Sequence, residues 1–176
     1  MKEVSDAFLL NIAEVTAALA GLFLVGIFFF VETGFRHWAR ADADVVSSYF
    51  RSGTRITLIL FAFPLLLSLV IVAMEPVWSR ILFAVLSLAL VAANVDSIRR
   101  IRPARDAMRA PAIVINEVVG TAAVVVIVTV PWILGGIDPS REDLTWAILL
   151  AFVVGFLSVS ALVLSAFDVV RPGGDD

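Results

Sequence analysis

The sequence predicts an all-α integral membrane protein: a bundle of five transmembrane helices, with a short amphipathic interfacial helix between the first and the second. Three observations support this prediction. Of the 176 residues, 61% are hydrophobic, whereas a soluble domain of this length is about half apolar. Five apolar runs are long enough to cross a bilayer, which needs about 20 residues. Short polar segments with an uneven distribution of charge separate these runs.

The five predicted spans follow one another closely and leave no room for a second globular domain. We place them at about 7–31, 56–74, 77–95, 112–134 and 144–167. Together they form a single transmembrane domain over residues 1–171, and we expect residues 172–176 to be a short flexible tail.

Prolines and glycines predict where the spans bend or end. Pro64 lies in the middle of the second span, where its missing N–H predicts a kink. Pro103 and Pro111 predict that neither the third nor the fourth span continues through the connection between them. Pro131 and the pair Gly135-Gly136 predict the end of the fourth span.

The connection between the first and second spans is polar, but apolar residues recur in it at helical spacing. Val45, Val46, Tyr49 and Phe50 follow an i, i+4 pattern, and arginines accompany them. The pattern predicts a short amphipathic helix in the headgroup region. It is equally compatible with an ordinary loop helix packed on the bundle.

The positive charges predict the orientation of the chain. Ten of the 13 Lys and Arg residues lie in the 32–55 connection, in the 99–111 connection and at Arg171 beside the tail; the other three, Lys2, Arg80 and Arg141, lie at the opposite ends of the spans. Short cytoplasmic loops carry an excess of positive charge. We therefore expect the N-terminus outside and the C-terminus in the cytoplasm. The excess of Arg over Lys suggests a bacterial source, and hence a bacterial plasma (inner) membrane.

The connection between the third and fourth spans is strongly basic. It lacks interleaved aromatic residues, which favours anionic lipid headgroups over nucleic acid as its partner. The predicted headgroup-binding residues are Arg99, Arg100, Arg102, Arg105 and Arg109.

The first span has two unlike faces. On a helix of 3.6 residues per turn, one face carries polar and small residues. We call it the first-helix stripe: Asn11, Glu14, Ala18, Gly21, Val25 and Glu32. The opposite face carries Phe23, Ile27 and Phe30. Because exposure of polar groups to lipid is unfavourable, we expect the stripe to face other helices or water inside the protein.

Acidic residues at membrane depth are the candidates for chemistry. Glu14 lies well inside its span, and Asn11, one turn away, can donate to it. A structural hydrogen bond and a functional site in a water-filled path are about equally good readings of Glu14. Glu117, with Thr121 one turn deeper, forms a secondary acid site, although an acid in the first turn of a helix also complements the helix dipole. Three acids at span boundaries are expected to pair with arginines: Glu32, Asp96 and Asp168.

Several kinds of site are excluded by residues that the sequence lacks. There is no cysteine, the single histidine is His37, and the only lysine is Lys2. A retinal Schiff base therefore has no lysine in the spans, and a haem or metal centre would need more ligands than one chain supplies. The sequence also contains no nucleophile-elbow motif. We expect no cofactor, no bound metal and no enzymatic activity.

The first-helix stripe favours transport. We expect a homo-oligomer that conducts cations or protons along a path lined by the first helix, with Glu14, Asn11, Ala18 and Gly21 in the path. Val25, Phe28 and Phe29 would form an apolar constriction. The alternative is a non-transporting membrane scaffold or regulatory subunit that docks a membrane protein partner through the stripe.

The fifth span carries a second face of small residues. Ala151, Gly155, Ser158 and Ser165 share this face. Small residues let two helix backbones approach closely. The pattern therefore predicts a helix–helix contact along this face.

Overall fold

The computed structural model describes the backbone of residues 4–34, 43–108 and 111–170, and the side chains of residues 4–29, 51–99 and 118–160. Every regular element in these ranges is helical. The elements are α1 (Asp6–Gly34), α2 (Ala43–Ala62), a π-helical turn (Phe63–Leu67), α3 (Ser68–Ala73), α4 (Pro76–Met108), α5 (Pro111–Gly135) and α6 (Arg141–Val170).

Within the described part of the chain, five stretches of helix are long and apolar enough to cross a membrane, as predicted. They are Asp6–Phe29, Arg51–Ala73, Pro76–Arg99, Val118–Gly135 and Arg141–Ser160. The second of them combines α2, the π-helical turn and α3. Pro64, where the sequence predicts a kink, lies in the π-helical turn. A proline has no N–H to donate to the preceding turn, and local π geometry is one way in which a helix absorbs that loss.

The predicted interfacial helix is not confirmed as a separate element. Residues 43–50 form the first turns of α2, and residues 35–42 lie outside the described part of the chain. No proline separates residues 43–50 from the apolar run that follows, so the helical hydrogen bonds continue into the second span.

The predicted break at Pro103 is wrong. Helix α4 continues through Pro103 to Met108, so its 33 residues extend about 50 Å at 1.5 Å per residue. A proline inside a helix removes one hydrogen bond and crowds the carbonyl four residues earlier, so it destabilises the helix without always ending it. The predicted end of the fourth span is confirmed, because α5 ends at Gly135, with Pro131 inside the helix. The predicted tail, residues 172–176, lies outside the described part of the chain.

Four of the spans form a ring, and the first lies outside it. Helix α2 packs on α4 and α6, and α5 packs on the other sides of α4 and α6. Helix α1 packs mainly on the π-helical turn and α3. The second span is therefore the central element, and α1 can offer most of its circumference to other molecules.

The two ends of the bundle differ. Alternation of the spans places Asp6, Glu75 and Asp138 at one end, which we call the short-turn end. It places Arg51 and Arg99 at the other, which we call the arginine-rich end. The large buried apolar side chains concentrate towards the short-turn end: Leu9, Phe63, Leu67, Phe83, Ile127, Leu144 and Ile148.

The small-residue face of α6 contacts α2, as predicted. Ala151 and Gly155 are buried. A Cβ atom added at Gly155 would lie 3.2 Å from Cε1 of Phe61 and 3.4 Å from Cβ of Leu60. The absence of a side chain at Gly155 therefore permits this close contact. Ser165 lies outside the described side chains.

The turn between α5 and α6 is fixed by local hydrogen bonds. Gly136 has φ +63°, and its N–H donates to the carbonyl of Trp132, which closes the C-terminus of α5. At the start of α6, the Ser140 N–H donates to Oδ2 of Asp143 at 2.8 Å, and the Asp143 N–H donates to Oγ of Ser140 at 3.3 Å. This reciprocal pair is a capping box, and it orients Arg141 at the short-turn end.

Candidate functional site: the outward face of α1

Helix α1 packs on the bundle through one side. Leu9, Ala13, Thr16 and Phe23 are buried, and their spacing places them on one side of the helix. The Thr16 hydroxyl donates to the carbonyl of Ile12 at 2.7 Å, so its burial leaves no unsatisfied donor. The ring of Phe23 meets that of Phe61 edge to face, with centroids 6.2 Å apart.

The first-helix stripe lies on the opposite side, facing away from the rest of the chain. Asn11, Glu14, Ala18, Gly21 and Val25 are all exposed. A Cβ atom added at Gly21 would meet nothing within 4 Å. Within one chain, the stripe therefore does not face other helices or an internal cavity, and the expectation that it points inward is wrong for the isolated chain. The side of α1 that packs on the bundle carries Ala13 and Thr16 beside Leu9 and Phe23, whereas large apolar residues such as Leu22 and Phe28 face outward together with the stripe.

The residues predicted to form a constriction also face outward. Phe28 is 72% exposed and Phe29 is 62% exposed. They continue the exposed side of α1 towards its C-terminal end, beyond Val25. The structure thus brings all seven predicted path residues to one exposed side of α1. Glu32 belongs to the same stripe by sequence, but its side chain lies outside the described residues.

Asn11 does not form a hydrogen bond with Glu14. Neither side chain forms a hydrogen bond or an ion pair with any of the described residues. The predicted donation from Asn11 to Glu14 is therefore absent from the isolated chain. Both polar groups remain available to water or to another molecule.

The secondary acid site is only partly described. Thr121 on α5 accepts a hydrogen bond of 3.4 Å from Nδ2 of Asn94 on α4, and Asn94 is buried. This bond links two neighbouring helices of the ring. Glu117 lies one turn before Thr121 on α5, but its side chain lies outside the described residues.

At the arginine-rich end, one of the three boundary acids, Asp96, pairs with an arginine that the sequence did not single out. Asp96 lies 3.6 Å from an Nη atom of Arg55. Arg99 is exposed. The remaining predicted headgroup-binding residues lie outside the described side chains: Arg100, Arg102, Arg105 and Arg109.

Two ion pairs at the short-turn end were missed from the sequence. Arg141 at the start of α6 pairs with Asp6 at the start of α1. Arg80 in α4 pairs with Asp138 in the turn before α6, at 2.5 Å. In the sequence, Arg80 and Arg141 were counted only among the positive charges that predict the orientation of the chain. Opposite charges at helix starts were a signal, but pairing them required knowing which helices are neighbours.

Among the described side chains, no group of three His, Cys, Asp or Glu residues is placed to hold a metal ion. An exposed carboxylate at membrane depth, flanked by small residues, can attract cations, exchange protons or accept hydrogen bonds from another helix. Comparison of the chain with protein-family models, curated proteins and solved structures found no match.

Proposed function

We propose that the protein is inserted in a membrane as a symmetric homo-oligomer and conducts cations or protons along the axis between its copies. The stripes of several α1 helices would face this axis, and Glu14 of each copy would contribute a carboxylate. The observation that carries the proposal is the exposure of Glu14 and its small neighbours on the side of α1 opposite its packing face.

In a membrane, the carboxylate of Glu14 would need water or a polar partner. Asp6 begins α1, so Glu14 lies about 12 Å along the axis, inside a hydrocarbon core about 30 Å thick. A charged side chain at the centre of a spanning helix costs about 2.5–3.5 kcal/mol on insertion scales. Water along a shared axis removes this penalty, and small residues beside Glu14 leave room for that water.

The position of α1 favours assembly through this helix. Because α1 lies outside the four-helix ring, several copies can bring their α1 helices together without disturbing the packing of the ring. The path would narrow towards the arginine-rich end, since Phe28 lies about 21 Å beyond Glu14. Such an apolar constriction can gate a path by excluding water.

The test compares the wild-type protein with Glu14→Gln in proteoliposomes. Glutamine keeps the size of the side chain but removes its charge, so cation flux should fall by about tenfold or more, because focused negative charge raises local cation concentration. Selectivity for cations over anions should fall as well. The matched control is Glu75→Gln at the exposed turn before α4, which should leave flux unchanged. A wild-type protein that carries no ions under a voltage or pH gradient would contradict the proposal.

A second candidate function is a scaffold or regulatory subunit that docks another membrane protein through the same face. The exposed aromatic pair Phe28 and Phe29 supports it, because exposed aromatic residues are common at protein–protein contacts. A single copy per lipid nanodisc, with no ion flux, would favour docking over the conducting oligomer.

A further inference from the structure

Three of the four tryptophans lie at the short-turn end of the bundle. Trp78 follows the start of α4 by two residues, Trp132 precedes the end of α5 by three, and Trp146 follows the start of α6 by five. At 1.5 Å per residue, these positions lie about 3–8 Å from the helix ends. We call the three residues the tryptophan belt. The fourth tryptophan, Trp38, lies outside the described part of the chain.

The side chains of the tryptophan belt face outward. Trp78 and Trp146 are about half exposed. Trp132 is 37% exposed, although its ring packs on that of Phe83 with centroids 5.8 Å apart. None of the three indole N–H groups donates a hydrogen bond to the described residues. An exposed apolar ring with an available N–H suits a place that is apolar on one side and hydrated on the other.

The charges of the short-turn end lie on the outer side of the tryptophan belt. Glu75 precedes α4, and Asp138 lies in the turn between α5 and α6. Arg80 lies two residues deeper than Trp78, but its guanidinium pairs with Asp138 at 2.5 Å, so its charge reaches towards the turn. The tryptophan belt therefore separates a charged layer from the apolar part of the spans.

The opposite boundary of the spans lies at the distance expected for one bilayer. On α4, the exposed Arg99 lies 21 residues after Trp78, which is about 32 Å along the helix. The hydrocarbon core of a bilayer is about 30 Å thick. The tryptophan belt and the arginine-rich end can therefore lie at the two surfaces of one hydrocarbon core.

We propose that the tryptophan belt binds the interfacial region of a phospholipid bilayer and holds the short-turn end at the level of the lipid glycerol groups. The indole rings lie against the uppermost part of the acyl chains, and their N–H groups donate to ester carbonyl and phosphate oxygens of the lipids. This contact requires the membrane insertion of the proposed function but not its ion conduction.

The experiment measures the depth of each tryptophan by fluorescence quenching in liposomes. The probes are two phosphatidylcholines, one brominated near the glycerol end of its acyl chains and one brominated near their middle. Single-tryptophan variants of the full-length protein carry phenylalanine at the other three positions. The single tryptophans at 78, 132 and 146 should each be quenched more strongly by the shallow bromine than by the deep one.

The matched control is Leu88→Trp in a chain whose native tryptophans are all replaced by phenylalanine. Leu88 lies on the exposed side of α4, about 15 Å deeper than Trp78. The deep bromine should quench this variant more strongly, and the two measured depths should differ by about 15 Å. Trp38→Phe alone leaves the tryptophan belt and its packing intact, so its emission should follow the shallow bromine without any change to the belt.

The outcomes separate the tryptophan belt from the proposed function. Stronger quenching of Trp78 and Trp146 by the deep bromine would overturn the tryptophan belt. So would the absence of their quenching by either lipid while Leu88→Trp is quenched, because protein would then cover them. No quenching at any position, Leu88→Trp included, would overturn both membrane insertion and the tryptophan belt. Shallow tryptophans in liposomes that carry no ions would support the tryptophan belt and contradict only the conduction.

Discussion

Substitution of Gly155 by leucine tests the packing of α6 on α2. A first carbon at this position would lie 3.2 and 3.3 Å from two ring carbons of Phe61 and 3.4 Å from Cβ of Leu60. These distances are a few tenths of an ångström too short for comfortable contact, and leucine adds three further carbons. Leu60 and Phe61 are themselves buried, so they have little space into which to move.

Two opposing effects determine how substitutions of Gly155 change the free energy of unfolding. Overpacking of a close-packed contact costs about 1–3 kcal/mol of unfolding free energy, and sometimes more. Replacement of a helical glycine by alanine gains about 1 kcal/mol in helix propensity. We therefore expect Gly155→Ala to be nearly neutral and Gly155→Leu to be destabilising by at least about 1 kcal/mol.

The assay is reversible unfolding in detergent, followed by circular dichroism. The control is Gly26→Leu on α1, where an added Cβ would meet nothing within 4 Å. This control should change the unfolding free energy far less than Gly155→Leu. Equal stability of Gly155→Leu and the wild type would refute the assignment of this face to a close helix contact.

Two further predictions concern the short-turn end and the orientation. In a double-mutant cycle with Asp6→Asn and Arg141→Gln, the coupling should be only about 0.2–1 kcal/mol and should shrink with added salt, because both side chains are partly exposed; a larger coupling that resists salt would contradict this. Since the chain has no cysteine, Asp138→Cys should react with an impermeant thiol reagent on intact cells and Asp106→Cys should not; the reverse pattern would invert the predicted orientation.

The helices were largely predictable because apolar length is a strong signal. A run of about 20 apolar residues has few structural options, and all five predicted spans correspond to helices of the structure. The residues at which the helices end were less predictable. Pro103 was expected to stop α4, yet the helix continues to Met108, because one proline removes one hydrogen bond while the surrounding turns keep theirs.

The sequence of α1 alone could not predict whether the candidate site faces the bundle or faces away from it. The sequence separates a small polar face from a bulky one, but the structure buries Ala13 and Thr16 and leaves Leu22 and Phe28 exposed. Which face packs inward depends on the shape of the surface that α1 meets, here including Phe61 in the second span. Long-range pairs are equally inaccessible to sequence reasoning: Asp6 and Arg141 are 135 residues apart, and only the packed bundle brings them together.

Disulfide crosslinking between copies tests most directly whether the first-helix stripe faces a shared axis. Ala18→Cys places a thiol in the stripe, and Leu88→Cys places one on the exposed side of α4, away from it. In proteoliposomes under mild oxidation, Ala18→Cys should form covalent dimers at high yield, while Leu88→Cys should stay monomeric. Monomeric Ala18→Cys protein, or equal crosslinking at both positions, would contradict the proposed assembly.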